Sequence, residues 1–115
     1  MIIAVPVKGN MTSGPGEAEE IAIIDTAKGE VSERYPNPAL TATSARGISM
    51  VKSALDRKAD ALVVGGIGEH ALSYAMKQMK VYNGSGATLD ELLKESGLEN
   101  LPELLQATHG GHHHH

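Results

Sequence analysis

Ala61-Leu62-Val63-Val64-Gly65-Gly66-Ile67-Gly68-Glu69-His70-Ala71 sets four apolar residues, a glycine-rich turn and a helix-compatible segment in direct succession. The apolar run, with two adjacent β-branched residues, reads as a strand buried on both faces. A strand, a tight turn and a helix N-terminus together present backbone N–H groups to an anion. The same glycines also serve a purely structural purpose, letting helix and strand pack closely, and glycine-rich turns alone do not separate the two. Gly66-Ile67-Gly68-Glu69-His70-Ala71 further matches the G-x-G-x-x-A dinucleotide pattern. That pattern normally opens a larger βαβ domain and carries an acidic residue at the end of the next strand, where Asn83 stands here.

His70 follows the turn and is either a metal or sulfide contact or an exposed first-turn residue, neutral imidazole being a common ligand. Arg46 is a candidate positive contact from the preceding crossover, or a solvated side chain. Asn37, in Asn37-Pro38, is either a turn residue or a polar group on the same face. The loop 8–20 is a candidate lid over this face, its Met11 offering a thioether contact or packing. No Ser/His/Asp or paired-carboxylate arrangement follows from spacing, so nothing points to a hydrolase. The terminal His112, His113, His114 and His115 are either a purification-tag remnant or a natural metal-binding tail.

With 115 residues the chain suits one domain, 1–108, with a non-structural tail at 109–115. A net charge of -4 without any basic cluster, and three tyrosines with no Phe or Trp, argue against nucleic-acid binding. There are no cysteines, which excludes disulfides, thiolate-held clusters and a Cys nucleophile. No membrane-spanning run or signal peptide is evident, so the expected location is the cytoplasm.

The elements that must position these residues follow in order. Strands are expected at 2–7, 21–26 and 31–35, forming an antiparallel meander. The turn Ala27-Lys28-Gly29-Glu30 joins the last two. Ser44 is the expected N-cap of a helix reaching Lys58, its apolar side formed by Ile48, Val51 and Leu55. The strand 61–64 precedes a helix over 69–79 whose apolar face is Leu72, Ala75, Met76 and Met79. A strand at 80–82 and the turn Asn83-Gly84-Ser85-Gly86 follow. Thr88-Leu89-Asp90-Glu91 has the form of a capping box for a helix ending at Gly97. Leu101, Leu104 and Leu105 suggest a further short helix after Pro102. Right-handed crossovers through the first two helices make the last strands parallel. The expected fold is α/β, a mixed five-stranded sheet flanked by helices.

Read in this order, the chain resembles the dinitrogenase iron-molybdenum cofactor biosynthesis family, small ribonuclease H-like domains of the nitrogenase accessory type. The resemblance rests on Met1-Ile2-Ile3-Ala4-Val5-Pro6-Val7, Ile23-Ile24-Asp25, Asn37-Pro38 and Arg46-Gly47-Ile48. It continues through 59–68, Ala71-Leu72 and Lys80-Val81-Tyr82-Asn83-Gly84. Relatives carry a His-Phe-Gly segment in the first long loop, whose histidine is a candidate ligand, and some have a nearby Cys; this chain has neither. The resemblance implies a carrier, not an enzyme, for a metal–sulfur cluster of molybdenum/iron or molybdenum/copper type. The cluster would be held without covalent ligation at Gly65, Gly66, Ile67, Gly68, His70, Arg46 and Asn37. Its partners would be cluster donor or acceptor proteins, and the carrier a monomer or weak homodimer. A protein-interaction module that has lost cluster binding is the alternative.

Overall fold

Ile3, Ala4, Val5, Pro6 and Val7 are all buried, because strand β1 (Ile2–Lys8) lies in the middle of the sheet and is covered on both faces. The computed structural model describes residues 1–94 and 98–108. Further strands are β2 (Met11–Thr12), β3 (Glu20–Asp25), β4 (Glu30–Pro36), β5 (Ala61–Val64) and β6 (Lys80–Asn83). The helices are α1 (Arg46–Asp56), α2 (Glu69–Met76) and α3 (Leu89–Leu92), with a 3-10 turn at Pro38–Thr41. Among the described residues no helix is long and apolar enough to cross a membrane.

The sheet order is β4-β3-β1-β5-β6, with β2 attached to the end of β1. β1, β3 and β4 form the expected antiparallel meander, whereas β1–β5 and β5–β6 are parallel. This is the expected mixed α/β sheet, with one short strand more than the five expected. β2 exists because the loop after Lys8 turns straight back, pairing Thr12 with Val7 and Met11 with Lys8.

Strand alternation divides the core. Ala4, Ile21, Ile23, Leu62, Val64 and Val81 face Met50, Val51 and Ala54 of α1 and Ala71, Leu72 and Ala75 of α2. Ile3, Val5, Val7, Ala22, Ile24 and Val63 meet Leu89 and Leu92 of α3 on the other side. The exposed edge strand β4 is tied to α1 through Arg57. Its guanidinium stacks 3.5 Å above the Tyr35 ring and pairs with Glu33 at 3.1 Å, while the Tyr35 hydroxyl meets Ser53 Oγ at 2.8 Å.

Four elements differ from expectation. α1 starts behind Ala45, not Ser44: Ala45 adopts the left-handed conformation (φ 50°) and offers no side-chain cap. Its end comes at Asp56, before Lys58. There the Lys58 N–H donates to Leu55 O and the Ala59 N–H to Ala54 O, with Lys58 left-handed, a Schellman closure. α2 stops at Met76, which is 44 % exposed and outside the core it was expected to join.

Residues 101–107 form no helix. The segment runs antiparallel to β6 through a Tyr82–Glu103 bridge, the Asn83 N–H donating to Pro102 O and the Leu104 N–H to Val81 O. Extended chain sends Leu101 and Leu104 to opposite faces of the sheet, one into each core cluster. Backbone pairing with an open sheet edge outweighs a short helix here. α3 has the anticipated capping box, but only 89–92 is helical; the expected continuation to Gly97 enters 95–97, outside the described residues, as does the tail 109–115.

The Glu91 carboxylate accepts from the Thr88 N–H and hydroxyl, and these hydrogen bonds hold it below the ordinary glutamate value. Its stabilising contribution is therefore complete above about pH 4.5 and is lost as pH falls through the lowered folded-state value. Urea midpoints measured across the acid range should show this component in the wild type and not in Glu91→Gln. A second test concerns the turn after β5. A Cβ on Gly65 would lie 2.7 Å from Thr12 O, whereas one on Gly68 meets nothing within 4 Å. Gly65→Ala is expected to destabilise by about 1–3 kcal/mol, and Gly68→Ala by less than about 0.5 kcal/mol, in equilibrium unfolding.

Candidate functional site

Strands β1, β4 and β5 run in the same direction, so the segments that follow them emerge at one edge of the sheet. Those segments are the loop 9–19, the approach to α1 and the turn into α2. They enclose a cavity of about 560 Å³ lined by Pro15, Gly16 and Glu17, by 45–48, and by 66–71. The N-terminal ends of α1 and α2 thus converge on one space. Gly47 makes the approach possible, since a Cβ there would come within 2.9 Å of Ala71 Cβ.

Neither of these helix ends has a side-chain cap, Ala45 and Gly68 being the N-cap residues. The helical segments that begin elsewhere are capped: α3 by Thr88, the 3-10 turn by Asn37. First-turn N–H groups have no intrahelical acceptor. Accordingly the N–H groups of Gly66, Gly68, Glu69, His70 and Ala71 find no protein partner among the described residues, and the same holds for Arg46, Gly47 and Ile48. Two helix dipoles add partial positive charge at the same place. Apolar surface from Pro15 and Ile48 completes a space suited to a compact anion.

The sequence-derived candidates separate here. Gly66, Ile67, Gly68, His70 and Arg46 line the cavity. Arg46 is exposed but anchored, its Nε donating to Ala39 O at 2.9 Å, and His70 is exposed at the mouth. Gly65 is not a lining residue: its N–H donates to Ser13 O at 2.9 Å and it packs under Thr12. Asn37 is 2 % exposed and does not reach the cavity. Its Nδ2 donates to Pro15 O and Ala18 O, both at 2.9 Å, and its Oδ1 accepts from the Ala39 N–H. One side chain thereby braces the loop wall and the turn that holds Arg46. Met11 lies at the opposite end of the loop, bridged to Thr88 and away from the cavity.

Glu17 and Glu69 also line the cavity and oppose an anion unless turned to solvent; both residues are exposed. Ala45, Gly47 and Ile48 were not singled out as lining residues from the sequence, and 15–17 entered only as part of the candidate lid 8–20, because alanine, glycine and proline contribute only backbone and shape. Among the described residues no three His, Cys, Asp or Glu side chains gather closely enough to hold a metal ion. The donors therefore do not fit a bare metal ion or a cluster built on protein thiolates. They fit a compact anion.

A search of curated proteins gives no match. Among solved structures, the apo form of the orange protein from Desulfovibrio gigas superposes with a TM-score of 0.80 at 21% identity. The match covers 94% of this chain and 96% of that one. A Thermotoga protein assigned provisionally as NifB superposes at 0.72 with 27% identity, over 96% and 98% of the two chains. A protein from Methanocaldococcus jannaschii, assigned provisionally as a dinitrogenase, gives 0.67 at 17% identity over 92% and 96%. The sequence itself matches the family described as dinitrogenase iron-molybdenum cofactor over residues 1–97, and to that family the chain belongs.

Proposed function

We propose that this domain carries a preassembled, anionic metal–sulfur cluster in the cavity between α1 and α2 and passes it to an acceptor protein. The observation that carries the reading is the pair of uncapped helix N-termini facing one cavity, in a chain whose other helical starts are capped by side chains. Sulfide or oxo ligands on a molybdenum/iron or molybdenum/copper core would accept from the Gly66, Gly68 and first-turn N–H groups. Arg46 supplies positive charge, and His70 supplies a donor or a ligand at the mouth. Binding of this kind is non-covalent, and release to an acceptor is exchange without chemistry. The domain then acts as a binder and not as an enzyme.

Membership in the family and the fold shared with the orange protein support this reading. A nucleotide is less well served. The residue at the end of β6 is Asn83, whose Oδ1 accepts from the Ser85 N–H, and no carboxylate stands there to receive a ribose.

The test is anaerobic titration with tetrathiomolybdate, with and without copper, in a chain whose His112, His113, His114 and His115 are replaced by alanine. Absorption and metal content are read after desalting. A stoichiometric coloured complex is expected. Gly68→Val, whose side chain enters open space without strain, should weaken it about tenfold or more by covering N–H groups worth roughly 1.5–3 kcal/mol to a charged acceptor. Arg46→Gln should weaken it less. Retention that is unaffected by Gly68→Val would move the site elsewhere. Retention seen only with the tail intact would make the tail the ligand and the domain an interaction module.

A further inference from the structure

The turn that presents the Gly66 and Gly68 N–H groups is short of constraints of its own. Two glycines flank Ile67, and glycine samples far more backbone conformations than other residues. An N–H group contributes to anion binding only when its direction is already fixed before the anion arrives. What fixes this turn is informative.

Ile67 is held at three points. Its side chain is fully buried among the α1 and α2 residues. Its N–H donates to Thr108 Oγ1 at 2.7 Å. Its carbonyl accepts from the Thr108 N–H at 3.0 Å and from the Thr108 hydroxyl at 3.1 Å. Both backbone groups of the residue between the two glycines are therefore occupied by one threonine 41 positions later in the chain. Thr108 ends a segment that is itself fixed, by Pro102 and Leu104 pairing along β6 and by Leu104 and Ala107 packing on the core. That segment lies beyond residues 1–97, where the family match ends.

We propose that Thr108 is a positioning residue of the cavity: the C-terminal strap carries it to Ile67, where it locks the glycine turn with the Gly66 and Gly68 N–H groups turned to the ligand. It withdraws the Ile67 N–H from the cavity, so the turn offers alternate amides and not a continuous row. The inference rests on the carrier reading for its effect on binding, but its effect on the turn stands apart from that reading.

The experiment compares Thr108→Val, which removes only the hydroxyl, with Thr108→Ser, which restores it. Each is made in the full chain with the four terminal histidines replaced by alanine. Amide NMR and hydrogen exchange follow the turn, tetrathiomolybdate titration follows binding, and thermal unfolding follows the fold. In Thr108→Val the Ile67 amide should exchange roughly fivefold faster or more, the loss of one ordinary hydrogen bond. The Gly66 and Gly68 resonances should shift or broaden, and tetrathiomolybdate should bind roughly fivefold more weakly, at a nearly unchanged melting temperature. Thr108→Ser should return all three to wild-type values.

Faster exchange at Ile67 alone, with Gly66, Gly68 and binding unaltered, would overturn the proposal and leave the strap as a cover for the sheet edge. A wild type that binds no tetrathiomolybdate would refute the carrier reading. The glycine resonances would then decide by themselves whether Thr108 sets the turn.

Discussion

The parallel pairing of β5 against β1, through Ile3 with Ala61 and Ala4 with Leu62, is the constraint on which the rest depends. Parallel neighbours need a crossover, and α1 makes it from the end of β4. Because β1, β4 and β5 then share one direction, the loop after β1 and the N-termini of α1 and α2 all begin at the same edge of the sheet. Open α/β sheets bind ligands outside the carboxyl ends of their strands for this reason. The cavity is a consequence of strand direction before it is a consequence of any side chain.

Within that frame, the chain separates groups that hold the backbone from groups left open. Gly65 admits the Thr12 backbone and ties to Ser13, joining the first loop to the turn after β5. The Asn37 side chain spends both its polar atoms on Pro15, Ala18 and Ala39. Thr88 and Glu91 satisfy the start of α3. Around the cavity several N–H groups remain without a protein acceptor among the described residues. An unsatisfied polar group that faces solvent costs little, but one that faces a dry ligand must be met by that ligand. The arrangement suits a ligand rich in acceptors.

The site asks little of side-chain chemistry. A cysteine-free chain offers, among the described residues, no group of three His, Asp or Glu side chains on which to build a cluster. On the proposed reading it offers a surface for holding one already built. Backbone donors are weak singly and do not form covalent bonds, so a guest held by them can leave. Reversible retention is the property the proposed carrier needs.

Local pattern alone was enough to place β1, β3 and β4 to within a residue at each end, and β5, the turn after Asp25 and the capping box at Thr88. In each, the residues that decide the structure lie within a few positions of one another. The glycine turn and its place before a helix were legible for the same reason, as were Arg46 and His70. Sequence pattern failed at Ser44, which lost the N-cap to a left-handed Ala45, and at Met76, which stayed in solvent. It failed also where a distant partner overrode the local preference: Leu101 to Ala107 left helix for an extended strap because β6 offered a free edge. Asn37 caps the turn at Pro38, as Asn-Pro chemistry suggests, but neither it nor Gly65 lines the cavity, since each also holds the loop after β1 from 19 or more residues away. The cavity itself could come only from the tertiary structure. Two helix N-termini separated in sequence become one anion site only when strand direction brings them to the same edge, and no local pattern encodes that direction.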